Sequence, residues 1–197
     1  MARVKWWGTG LVALTLSVLC AGLPLLNEVL GNGARPLAPG TVVSIGVERN
    51  GVRPVTITVR HDGWFLEAED SLLSGYAQLT RADVVFNLSV AVPLTPFDAR
   101  DLWHGLGRLI AMGGHMRLGE RPEPIETTGG LTGLTGTITG RNRVGTATVY
   151  ATDTLGATVT AAGPPLSFQS VAAQVQAMAR TVTIAAPWTS ESSDSEP

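Results

Sequence analysis

The chain has 197 residues, enough for one domain plus accessory segments at roughly 100–200 residues per domain. Hydrophobic residues make up 44% and charged residues 15%, so a globally disordered chain is excluded. Net charge is −2, and between Arg35 and Arg180 12 Arg balance 12 Asp plus Glu, so the body lacks the basic footprint of a nucleic-acid binder. The single cysteine, Cys20, excludes an intrachain disulfide and a cysteine-based zinc site.

The first 30 residues read as a membrane segment. Trp6 to Leu26 carries no charge across 21 residues, and about 20 apolar residues cross a bilayer as a helix. Arg3 and Lys5 precede the run, and Trp6 and Trp7 stand where interfacial aromatics anchor. The expectation is a single-pass signal anchor over residues 1–30, with the N-terminus cytoplasmic and the body outside the cell membrane. The alternatives are a cleaved secretory signal, since Ala21 and Gly22 follow the core, and a lipoprotein signal ending at Cys20. Leu19 argues against the lipoprotein, because that processing needs a small residue before the cysteine. Residues 31–40, rich in Gly and Pro, read as a linker.

From Thr41 the apolar residues recur with period two. Val43, Ile45 and Val47 form one strand and Val55, Ile57 and Val59 the next, joined by an Asn50-Gly51 hairpin turn in which both residues tolerate positive φ. Asp62-Gly63 turns the chain into a third strand, Trp64 to Ala68. Strands over Gly75 to Leu79 and Val84 to Val92 flank a turn at Arg81-Ala82-Asp83.

A helix follows, with Thr95 as N-cap, Pro96 in the first position and Asp98 in the first turn. Its apolar face is Leu102, Leu106, Leu109 and Ile110, and Gly113-Gly114 ends it. Residues 115–130 read as a loop with one short strand. Three strands follow over Leu134 to Thr139, Gly145 to Ala151 and Ala157 to Ala161. Ser167 is then placed to cap a second helix, with Phe168, Val171, Ala172, Val175, Met178 and Ala179 on its core face. Thr181 to Ala185 is a last strand.

The fold class that results is α+β: a mainly antiparallel sheet with two packed helices, spanning residues 41–186, preceded by one N-terminal transmembrane helix. Residues 187–197, with Glu191, Asp194 and Glu196 and no base, read as a disordered acidic tail.

Chemical signatures are sparse. His61, His104 and His115 lack the i, i+4 spacing of a helical metal pair. Glu67, Glu69 and Asp70 form the one dense ionisable group, read as a solvated strand end rather than a catalytic or calcium-binding set. The glycine-rich stretch Gly129 to Gly145 has neither phosphate-loop nor dinucleotide-fold order and reads as strands and turns. Asn87-Leu88-Ser89 matches a glycosylation sequon but falls inside a strand. No nucleophile elbow is present, and the one lysine is Lys5. Trp64 and Trp103 read as core, and Trp188 as a residue placed to touch the domain edge or a membrane surface. No catalytic, cofactor-binding or metal-binding residue is assigned, and no cofactor.

The order of elements resembles the Mog1/PsbP-like fold, in particular the membrane-anchored or lipoprotein versions common in actinobacteria. The resemblance rests on GWFLEAED after the opening hairpin and on the strand-to-helix step VVFNLSVAVPLTPFDARDLW. It rests most on the closing hairpin, helix and strand of TATVYATDTLGATVTAAGPPLSFQSVAAQVQAMARTVTI, and covers about residues 41–186. It implies a binding or assembly module with no catalytic residue to carry over. The function expected is a non-catalytic, membrane-tethered extracytoplasmic module binding a protein or an envelope lipid. The alternatives are a cell-envelope hydrolase and a structural or adhesion subunit.

Overall fold

Two mirror-type hairpin turns organise the start of the chain. Asn50 and Gly51 have φ of 52° and 77°, and Ala82 and Asp83 have φ of 48° and 64°. Paired positive φ values match the right-handed twist of flanking strands. The computed structural model describes residues 33–93 and 97–185.

The strands are β1 (Ala34–Leu37), β2 (Val42–Ile45), β3 (Val55–Thr58), β4 (Trp64–Glu67), β5 (Tyr76–Arg81) and β6 (Val84–Ala91). After helix α1 (Ala99–Met112) come β7 (Met116–Leu118), β8 (Glu123–Glu126), β9 (Thr132–Gly140), β10 (Val144–Ala151) and β11 (Gly156–Gly163). Helix α2 (Pro165–Ala179) and β12 (Thr183–Ile184) complete the described chain. The expected α+β class, with a mainly antiparallel sheet and two helices, is what the structure has. The expected transmembrane helix over residues 1–30, the Thr95-Pro96 step and the acidic tail lie outside the described residues. Among the described residues, no helix is long and apolar enough to cross a membrane.

The strands divide into two sheets, which the sequence pattern does not separate. The large sheet runs β1-β4-β5-β6-β11-β10-β9-β7, with β8 also on β9; the small one runs β12-β3-β2. Every register resolved is antiparallel. Two strands fall where loops are expected: β1 inside the Gly/Pro linker, and a second one, β7 or β8, inside 115–130. Both regions carry Pro, which hides an edge strand from a periodicity reading because edge positions tolerate a missing N–H.

Alternation along β10 sends its side chains to two different cores. Tyr150 belongs to the main core, with Ile45, Ile57, Phe86, Leu88 and the α2 residues Val171 and Val175. Ala147 and Val149 point the other way, into a smaller cluster under α1 with Trp103 and Ile138. The large sheet is therefore the middle layer, with α2 and the small sheet on one face and α1 on the other. In the main core, Trp64 meets Phe86 edge-on, with centroids 5.8 Å apart and ring planes at 73°. Tyr150 donates its hydroxyl to the Ala179 carbonyl at 2.9 Å, tying β10 to the end of α2.

Both helix starts differ from the expected ones. Asp98, not Thr95, caps α1: its carboxylate accepts from the N–H groups of Arg100 and Asp101, both at 2.8 Å, and Asp101 reaches back to the Asp98 N–H. The Asp101 N–H foremost holds the Asp98 carboxyl below its ordinary pKa. Helix α2 starts two residues before Ser167, at Pro165, whose missing N–H costs nothing in the first turn.

Candidate functional site

Helix α1 covers only part of its face of the large sheet. It packs mainly on β7, β9 and β10 and reaches β11 only at its start, while β6 and β5 extend beyond it. The buried stripe is Trp103 with the partly buried Ala99, Leu102, Leu106 and Ile110. Leu109, expected on the core face, is 67% exposed. The physical reason is Trp103, whose large ring takes the central position and turns the helix so that Leu109 faces outward.

Between α1 and the uncovered strands runs a groove of about 870 Å³. Its helical wall carries Leu102, Leu106, Leu109 and Met112, with the charged Asp101 and Arg108 beside them. Its floor is polar, formed by Asn87 and Ser89 on β6 and Thr158 and Thr160 on β11. The register explains the change of character. Ser89 is opposite Thr158, which is opposite Val149; Asn87 is opposite Thr160, which is opposite Ala147. Each row thus begins with side chains that face the groove and ends with apolar ones beneath α1. Tyr76, opposite Ser89, stands at the rim with 42% exposure. Among the described residues, no hydrogen bond occupies the side chains of Asn87, Ser89, Thr158 or Thr160, and all four are half-buried.

Glycine sets how closely the helix approaches. A Cβ at Gly156 would lie 2.8 Å from both Leu102 and Phe97, so only glycine lets the start of α1 sit on β11. This contact fixes one end of the groove.

The residues singled out in the sequence do not converge. His61, His104 and His115 are exposed, respectively before β4, on α1 and before β7. Glu67 accepts from Thr80 Oγ1 at 2.5 Å, and Asp70 accepts from Gln78 Nε2 at 3.1 Å, so both carboxylates brace the β4–β5 connection; Glu69 is exposed. The stretch Gly129 to Gly145 forms the β9–β10 hairpin. Trp64 and Trp103 are core, as expected, and Trp188 lies outside the described residues. The groove residues were legible only as alternating polar positions of strands, a pattern that equally describes a solvated sheet face. Asn87 alone carried an independent signal, the sequon, and that signal concerns glycosylation.

No protein-family model matches the chain, and no curated protein matches it. Among solved structures, the chain is similar to cyanobacterial PsbP (CyanoP) from Synechocystis sp. PCC 6803, at 11% identity and a TM-score of 0.50. That match covers 75% of this chain and 95% of the CyanoP chain. It is also similar to a crystal structure from Bacteroides thetaiotaomicron VPI-5482, at 9% identity and a TM-score of 0.39, covering 79% of this chain. The match spans half of the Bacteroides chain. The likeness to CyanoP agrees with the PsbP-like fold expected from the order of elements and bears on the fold alone.

Proposed function

We propose that the domain is a non-catalytic binding module that takes an amphipathic segment of another protein in the groove between α1 and the large sheet. The carrying observation is the groove's two-sided chemistry. A wall of leucines and Met112, edged by Asp101 and Arg108, faces a floor of hydroxyls and one carboxamide. A segment with an apolar edge and backbone amides on the other side satisfies both at once, because each apolar contact gains from leaving water and each floor group gains a partner. Exposed Leu109 and Met112, at 67% and 82%, supply apolar surface that α1 does not bury in its own domain.

In the same proposal the module is tethered at the outer face of the cell membrane. The uncharged run Trp6 to Leu26 behind Arg3 and Lys5 supports this part of the reading.

A photo-crosslinking amino acid in place of Leu109, in the full chain in intact cells, tests the groove. The expected result is a discrete protein adduct, identified by mass spectrometry and lost when Ser89→Trp fills the groove. Adducts to lipid alone would overturn the reading. So would a set of proteins identical to that captured from exposed Arg121.

A further inference from the structure

A second cavity lies at the tip of the small sheet and meets the end of the α1 groove at Val90 and Val92. It measures about 390 Å³ and is bounded by Val47, Val52 and Pro54 of the β2–β3 hairpin and by Val90, Val92 and Leu155. Its valines are unusually open for apolar residues: Val47 is 62% exposed, Val52 49% and Val92 71%. Such a cluster, rimmed by polar residues, marks a contact surface.

The chain itself leads to this cavity. Ala185 is part of its wall, and the Ala185 N–H donates to the Pro54 carbonyl at 2.7 Å, one residue beyond β12. In the β12–β3 ladder Thr183 is opposite Thr56 and Ile184 opposite Val55. Trp188 follows Ala185 by three residues. Three extended residues reach about 10 Å, which spans a cavity of this size. Past Trp188 the sequence carries Glu191, Asp194 and Glu196 and no base. The hairpin carries Arg49 on the cavity wall and Arg53, which pairs with Glu48 at 3.5 Å, so its net charge is opposite to that of the segment.

We propose that this cavity is the docking site for the chain's own Ala186–Glu191 segment, with the Trp188 indole as the anchor among Val47, Val52 and Val92. The indole is amphipathic, with an apolar body for the valines and an N–H for the wet rim. The acidic residues beyond it approach Arg49 and Arg53, an attraction that salt weakens. The contact closes the open end of the small sheet and covers the apolar tip.

The full chain and its Trp188→Phe variant provide the test, because the difference between their emission spectra reports Trp188 alone. The expected difference spectrum is blue-shifted from that of a free indole, with acrylamide quenching reduced several-fold. Val52→Asp, at an exposed hairpin position, should return the Trp188 emission to the red and restore quenching, while far-UV circular dichroism stays unchanged. Arg49→Glu should shift it part of the way. An exposed-type difference spectrum that Val52→Asp leaves unaltered would overturn the proposal. Shielding that appears only as protein concentration rises would assign the site to a second copy instead. Shielding that appears only with phosphatidylglycerol vesicles would assign it to a membrane.

Discussion

Trp103 lies directly against Gly136. A Cβ at position 136 would sit 2.8 Å from Cη2 and 3.0 Å from Cζ2 of the indole. The tryptophan is 4% exposed, so it has no free space into which to move. Gly136 therefore sets the height of α1 above β9, and with it the wall of the groove. Gly136→Ala should cost about 1–3 kcal/mol, the range for overpacking a core. Thermal unfolding and the near-ultraviolet dichroism of tryptophan check it. Gly107→Ala on the same helix meets only Leu118 Cδ2 at 3.7 Å, an ordinary contact. It should keep or raise the melting temperature, since alanine favours a helix by about 0.8–1 kcal/mol over glycine.

Tyr150 is buried, and burial pushes its hydroxyl up to about 12. Its folded pKa exceeds the ordinary value of 10.0, so the protonated hydroxyl is the form that the fold favours. That contribution is complete below pH 10 and is lost as pH rises toward 12. Tyr150→Phe removes the bond to the Ala179 carbonyl and should cost about 1 kcal/mol at neutral pH. Above pH 10 the variant should lose stability less steeply than the wild type. Denaturant titrations at pH 8, 10 and 11 measure this, and parallel pH profiles for the two proteins would contradict it.

The two helices bury their inner faces to different degrees, which three substitutions separate. Val175 is 2% exposed in the main core, so Val175→Asp strands a carboxylate without a partner and should be the most damaging. Leu106 is only partly buried beneath α1, and Leu106→Ala should cost about 2 kcal/mol, the low end for such truncations. Arg100 is exposed, and Arg100→Ala should change the melting temperature hardly at all. Similar melting temperatures for all three variants would refute the assigned faces.

The carboxylates of Glu67 and Asp70 brace a strand connection in this structure rather than facing a cavity, and Glu69 beside them is exposed. The triple variant Glu67→Gln, Glu69→Gln, Asp70→Asn keeps an acceptor for Thr80 and for Gln78. Folding and any cellular phenotype should therefore persist. A well-folded triple variant with the phenotype of a deletion would reinstate an enzymatic reading.

The tether is checked by topology. Alkaline phosphatase fused after Pro187 should be active, and a fluorescent protein that matures only in the cytoplasm should be dark at the same position. The reverse pattern would invert the proposed orientation.

Local chemistry made much of this fold legible from the sequence. Asn50-Gly51 specifies its hairpin because those two residue types accept positive φ. The core face of α2 follows from Phe168, Val171, Val175 and Met178 at helical spacing, and all four are buried. The alternation of β10 and β11 likewise marks them as strands. Periodicity does not say which strand pairs with which, because every half-buried strand presents the same pattern to any partner. The split into two sheets is settled by long-range pairing, such as Thr183 with Thr56 and Ala161 with Phe86. Nor does the sequence tell a solvated sheet face from a groove floor. Ser89 and Thr158 became a floor only because Trp103 and the glycines of β9 and β11 seat α1 over part of the sheet and leave the rest uncovered. Helix spacing alone put Leu109 in the core, whereas the bulk of Trp103 turned it outward. Residue types fix which elements form, and side-chain volume at their meeting points decides how they sit and what they leave open.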